Sequence, residues 1–381
     1  MNSKQLPEIT CHHHIMKNNN NYNNDDLLTL DNSGCKVNEI SIHKLFQYYN
    51  STKFIYPAKA QRLEPYLLRI QEHWKKALKS GDDLIRIVTY ETDGQFASVM
   101  MLRNTTTSWI GQHLISTGHR ISHIPMLAIH GSLISNPGHH NINHFICWYR
   151  PDNKIPDLFF GSSLKVLGCN HTSLTRWNYY ECIGINPQSQ KNIHVEYCNK
   201  NNFDSFISFA KNHMDPTWLL SEELDRNDIG LESLNEQYKR VGLHRYRRIL
   251  MAYEGASDTP KALAICNRAP LGMNLSFLEN KVTLLFTTEM QNNEKVQYMD
   301  ALLYGIRKVY SDFPLNFIPL LVLDKDKEII NQGGHFQYFK TYNQSIWDAD
   351  AYLAWYHYVA ALTKAYGAKH QLIPMEISQA S

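Results

Sequence analysis

The sequence predicts a mixed α/β protein made of two tandem units, each a mixed sheet flanked by helices. Three observations point there. One order of elements (helical lead-in, strand pair, strand, helix, strand) occurs twice along the chain. In its first occurrence the apolar runs Leu84 to Tyr90 and Phe96 to Leu102 flank Asp93-Gly94, the strongest short-range hairpin signal. In its second, Tyr246 to Tyr253 and Lys261 to Cys266 are separated by turn formers from Glu254 to Pro260, and Phe317 to Leu323 is wholly apolar, as a central buried strand requires.

Size and composition agree with two cores. The chain has 381 residues, whereas domains cluster at roughly 100 to 150 residues. Hydrophobic residues are 43% and aromatics 12% of the total, enough for both. The expected division is a polar tail over 1–35, a first unit over 36–190 and a second over 191–381. Met1 to Ser33 is rich in Asn and Asp and holds Cys11-His12-His13-His14, so it buries too little surface to offset chain entropy. Nothing fixes a metal geometry in such a tail. The net charge of +2, with Lys and Arg scattered among acids, argues against a nucleic-acid partner. Seven widely spaced cysteines, an odd number, read as reduced, buried thiols of a cytoplasmic protein. The first residues lack a signal-peptide core, and no run approaches the about 20 apolar residues of a membrane span.

Each element follows from local pattern. Ile42 to Tyr49 is a short amphipathic segment, and Leu63, Leu67, Ile70, Trp74 and Leu78 make one helical stripe ended by Gly81. The Asp93-Gly94 hairpin follows, with Thr105 to Ile110 extending or succeeding it. Pro125 to Leu133 is a short apolar run. Ile142 to Arg150 fits a strand or a helix, Phe159 to Leu167 a helix, and Leu174 to Ile185 a strand, before the linker Pro187 to Gln190. The second unit opens with the strand His194 to Tyr197, a helix over Asn202 to Asn212, and a polar helical stretch from Leu219 to Tyr238. After its hairpin come a long strand from Val282 to Met290 and a helix from Val296 to Tyr310. The apolar strand Phe317 to Leu323 is next, then a helix capped by Asp324, a strand from His335 to Thr341, and a last helix from Asp350 to Tyr366.

This order, clearest from about Ile193 onward and weaker over Asn38 to Ile185, resembles the GCN5-related N-acetyltransferase fold. The resemblance implies a loop after the strand Val282 to Met290 whose backbone N–H groups, with the following helix N-terminus, hold the pyrophosphate of acyl-CoA. Gln291, Asn292, Asn293, Lys295 and Val296 are the residues in that place. It also implies a carboxylate base on the long strand, where Glu289 stands, and a tyrosine acid for the departing thiolate. The short helix after the apolar strand has Ile329, Ile330 and Asn331 instead, so Tyr342 on the next strand is the candidate, beside Tyr338. The loop departs from the family pattern: it has no glycine, and Glu294 would repel phosphate.

Two functions stay open from the sequence. One is an N-acyltransferase moving an acyl group from acyl-CoA or another acyl thioester to an amine, with no metal. The other is a non-catalytic protein of the same fold that binds a ligand or partner. Arg245 and Arg247 on one strand face suit either an anionic carrier or, more simply, a solvated edge strand. His139, His140 and His144 read as a surface cluster beside Pro137-Gly138. Tyr342 to Asp348 is a polar and aromatic stretch between strand and helix that suits a pocket lining or a helix cap. GxSxG, P-loop, HExxH and paired CxxC patterns are absent.

Overall fold

The computed structural model describes residues 34–81, 83–118, 124–129, 142–167, 171–184, 192–330 and 335–370. The Cys11 to His14 cluster, His139, His140 and the 187–190 linker lie outside them. Twelve strands are described: β1 Cys35–Val37, β2 Ile85–Thr92, β3 Gln95–Arg103, β4 Ser108–Ser116, β5 His144–Tyr149, β6 Thr172–Cys182, β7 Ile193–Tyr197, β8 Tyr246–Glu254, β9 Ala262–Arg268, β10 Val282–Phe286, β11 Ile318–Leu323 and β12 Phe336–Asp348. β1 begins at Cys35, the last residue assigned to the tail.

Local chemistry sets several of these strands where the sequence predicts them. β2 and β3 pair antiparallel through Thr92 and Gln95, and the two residues between, Asp93 and Gly94, have φ of 46° and 73°. Two successive positive φ values match the twist of a two-residue hairpin. β11 is buried along its centre, and Ile142 to Arg150 resolves as the strand β5. Leu219 to Tyr238 is two helices, Pro216–Ser221 and Glu232–Arg240. Asp215 starts the first by accepting from the Thr217 and Trp218 N–H groups, and Leu231, at φ 63°, precedes the second.

The expected two sheets are one. Strand order is β1-β2-β3-β4-β5-β12-β6-β11-β10-β9-β8-β7. The last strand of each half lies against the other half: β12 pairs with β5, and β6 pairs with β11. β6 and β12 also pair with each other antiparallel over most of their length, with a bulge between Tyr338 and Lys340. Hence Tyr342 to Asp348, which the sequence reads as a pocket lining or helix cap, is the inner half of β12, paired with β6 and, from Asn343 on, with β5 as well.

Three cores sandwich this sheet. One face carries a single core shared by both halves, where Ile42, Phe46, Ile70 and Trp74 join Phe206, Trp218, Leu234 and Tyr238. The other face divides. Trp109, Phe145, Trp347 and Trp355 pack under the C-terminal helix Ala349–His370, and Leu284, Phe286, Leu302 and Ile306 under the helix Asn292–Val309.

Loops are exchanged as well. The β9–β10 connection enters the first half, where Trp74 Nε1 donates to the Gly272 carbonyl at 2.8 Å and Gln112 Nε2 to that of Met273 at 2.9 Å. Gly272 has φ +79°, and a Cβ there would sit 2.4 Å from Ile70 Cγ1, so only glycine fits. Reciprocally, Thr106 and Thr107 reach Glu223 of the second half.

Expressed apart, 36–190 and 191–381 would each expose an unpaired sheet edge and half of the shared core. Each fragment alone is expected to aggregate and to show no cooperative unfolding, and co-expression is expected to recover a soluble complex. Two soluble fragments with sharp, independent transitions would show that the exchange is dispensable.

Candidate functional site: two wedges in one sheet

Each half contains one parallel strand pair that starts together and then diverges. β10 and β11 pair from Val282–Leu320 to Leu284–Val322, after which Leu285 and Phe286 have no β11 partner. β4 and β5 pair from Ser108–His144 to Gly111–Cys147, and Gln112 to Ser116 continue without β5. A wedge opens at the C-terminal ends of each pair.

The carboxy-terminal wedge is the one the sequence singled out, and its mouth is occupied by the protein itself. β10 ends at Phe286 rather than Met290, because Thr287 N–H turns to the Lys261 carbonyl and a turn follows at Thr288-Glu289. Glu289 is therefore exposed and off the strand. Its own backbone N–H and the Thr288 hydroxyl, 3.0 Å away, hold the carboxyl below its ordinary range, the opposite of a base raised by burial. Gln291 caps the following helix, and its N–H donates to Glu294 Oε2 at 2.8 Å. Lys295 is withdrawn into a buried ion pair with Asp326 just past β11, Nζ to Oδ1 2.7 Å, with side-chain exposures of only 9% and 0%. Asn292 and Asn293 are exposed on the first turn, and Val296 packs toward the core. In this segment a carboxylate holds the Gln291 amide, and the Lys295 amine is tied to Asp326 across the gap.

Tyr342 is elsewhere. The strand exchange carries it with β12 to the shared face beside β5, so the two residues expected to act together lie in different halves of the sheet. Tyr342 is buried, which raises its pKa, and its hydroxyl bonds to Ser276; around it stand Tyr56, Arg62 and Arg150.

The amino-terminal wedge has a richer lining. On its free half β4 bulges, Ser98 facing Ile115 and Met100 facing Gln112, so His113 and Leu114 together oppose Val99. His113, at φ 57°, stacks on Trp74 with ring centroids 5.4 Å apart, and its Nε2 accepts from Leu275 N–H at 3.3 Å. Burial holds this imidazole well below its usual pKa, so it is neutral, and Nδ1 has no hydrogen-bond partner among the described residues.

Cations gather on the same face. Lys59 Nζ lies 4.1 Å above the Phe54 ring, and Lys340 Nζ contacts the Tyr56 hydroxyl and sits 5.2 Å from the Phe339 ring centroid. Arg62 is caged by Phe339 at 3.9 Å and Phe317 at 4.8 Å, pairs with Glu181, and donates to the Tyr179 hydroxyl at 3.0 Å. Burial, then the nearby charges of Lys340, Arg62 and Arg150, brings the Lys59 amine down to about 7. Sequence reasoning missed Tyr56, Lys59 and Lys340, because they meet only through the exchange of β12.

Arg245 and Arg247 are not on a solvated strand. Both are buried. Arg247 donates to Glu222 Oε2 at 2.8 Å, to the Glu222 carbonyl at 2.7 Å and to Asn267 at 3.0 Å, and Arg245 donates to Asn104 Oδ1 at 2.8 Å. Lys281 lies 3.6 Å from Glu222 Oε1. Burial alone would raise the Glu222 carboxyl, but Lys281, Arg247 and Arg245 outweigh it and hold it low. Next to it, Glu223 accepts from the hydroxyls of Thr106 and Thr107, both at 2.6 Å. This hub binds the halves together and is sealed from ligands. A separate surface cleft of about 320 Å³ is lined by His73, Tyr246 and Arg268, whose guanidinium is already held by Asp312 at 2.9 Å.

Among the described residues no group of three or more His, Cys, Asp and Glu could hold a metal ion, and no helix is long and apolar enough to cross a membrane. Among the described residues Cys147, Cys182 and Cys266 are buried thiols, and Cys198 is a partly exposed one.

No family model and no curated protein sequence matches the chain. Solved structures do. A tandem GNAT protein from the clavulanic acid biosynthesis pathway is 7% identical, with 73% of this chain and 88% of that one covered and a TM-score of 0.38. A GCN5-related N-acetyltransferase from Sphaerobacter thermophilus is 11% identical, covering 73% and 85%, with a TM-score of 0.37. A Drosophila protein is 8% identical, covering 82% and 98%, with a TM-score of 0.43. The chain's own strand order and its two diverging parallel pairs make one large mixed α/β sheet flanked by helices.

Proposed function

We propose that the protein is an N-acyltransferase that moves an acyl group from acyl-CoA or another acyl thioester to an amine, working at the β4–β5 wedge while the β10–β11 wedge serves as scaffold. The observation that carries this reading is the free, bulged half of β4. Gln112 to Ser116 present a strand edge with no β5 neighbour, and the bulge at His113 and Leu114 leaves an amide outside the ladder on β3. An amide-bearing thioester arm adds to such an edge as an extra strand would. The acceptor nitrogen then attacks the thioester carbonyl, the carbon–sulfur bond breaks, the amine loses a proton and the thiolate takes one. Tyr342, kept protonated by burial, suits the last step.

A specific observation favours the second reading, a non-catalytic ligand-binding protein of this fold: the carboxy-terminal wedge is closed by Glu294, Lys295 and Asp326. Amine-dependent thiol release from acetyl-CoA and longer acyl-CoAs separates the two. Turnover is expected, with Tyr342→Phe lowering kcat about 10²-fold and leaving donor stabilisation intact, near 2.7 kcal/mol at 100 times Kd. Absence of both turnover and stabilisation with every donor would leave the binding reading.

A further inference from the structure

The shared face beside β5 holds more positive charge than its acids balance. Lys59, Arg62, Arg150 and Lys340 stand there. Glu181 is already committed to Arg62, and Asp152 reaches Arg150 at 3.6 Å from an exposed rim position. Neither Lys59 nor Lys340 has a carboxylate within ion-pair distance among the described residues; their contacts are ring faces and the Tyr56 hydroxyl. The two amines come from different ends of the chain, the segment after the first helix and the exchanged strand β12, so local sequence composition does not account for their meeting. Like charges so placed repel one another and weaken the fold unless an anion joins them. Aromatic walls supply some attraction, about 0.5–2 kcal/mol per cation, but ring faces do not cancel charge.

We infer that this face binds a small anionic molecule through its carboxylate or phosphate group, held by Lys59, Lys340 and Arg150 between the rings of Phe54, Tyr56 and Phe339. Resting on the acyl-transfer reading, this identifies the acceptor as an amine that also bears an acidic group. The acyl donor enters along β4; the acceptor is seated by the charge beside β5 and Tyr342.

Thermal unfolding at constant ionic strength tests the site without any acyl donor, using citrate and inorganic phosphate as probes against potassium chloride. A saturable rise in Tm is expected with at least one probe, and the responsive probe tells carboxylate from phosphate. Lys59→Gln and Lys340→Gln are each expected to weaken that response at least tenfold, and Lys59→Gln to raise Tm in chloride alone because a repelled charge is gone. Retention of the response in saturating CoA is also expected. Equal Tm in all three salts, an unchanged response in both variants, or loss of the response to CoA would overturn the inference. Failure of acyl transfer with the anion response intact would count against the enzyme reading alone.

Discussion

Glu222→Gln is expected to lower the free energy of unfolding by about 3–5 kcal/mol, the usual cost of leaving buried charge without its partner. Three cations lose their carboxylate at once, since Arg247, Lys281 and Arg245 all depend on it. Domains commonly have only about 5–15 kcal/mol in total, so a large shift in the urea midpoint should be seen. Adding Arg247→Met should recover part of the loss, because it removes the charge most directly stranded. The coupling measured by that double variant is the informative quantity. An E222Q protein as stable as wild type would mean that the hub is hydrated and does not join the halves.

The second large effect concerns the closed wedge. Lys295→Met strands the buried Asp326 carboxylate and is expected to cost about 3–5 kcal/mol. The double variant Lys295→Met with Asp326→Leu should be neutral or more stable than wild type by about 1–4 kcal/mol, as when a buried pair is replaced by apolar packing. Acetyl-CoA affinity should not change in it, since Glu294 still occupies the Gln291 amide. A double variant that gained tighter acetyl-CoA binding would show that the ion pair gates a usable site.

Much of the architecture was written in local pattern. Asp93-Gly94 specified a hairpin because few other pairs adopt two positive φ values, and Phe317 to Leu323 declared a central strand because only burial on both faces tolerates it. The exchange of β6 and β12 left no such mark. A strand's pairing partner is decided by long-range packing, and Tyr342 to Asp348 suits a pocket lining or a helix cap by sequence because its Asn, Gln and Ser alternate with Tyr, Ile and Trp. In the sheet Gln344 Oε1 accepts from Trp177 Nε1 at 2.9 Å and from Trp218 Nε1 at 3.1 Å.

The site suffered most from this. Asn292 to Val296, expected as a loop leading to a helix at Val296, are already the first turns of the helix, which Gln291 caps, and Lys295 is engaged by Asp326, some thirty residues on. Glu289 was placed on a strand that ends three residues before it. Arg245 and Arg247 were read as solvated, because Glu222 and Asn104 are distant in sequence and adjacent only after folding. Lys59 and Lys340 carried no spacing signal whatever.

Amide hydrogen exchange with and without acetyl-CoA addresses the choice between the two wedges most directly. Protection is predicted along Gln112 to Ser116 and Trp148 to Arg150, with Gln291 to Val296 unchanged. Protection at Gln291 to Val296 with β4 unaffected would contradict the assignment and return the thioester to the carboxy-terminal half.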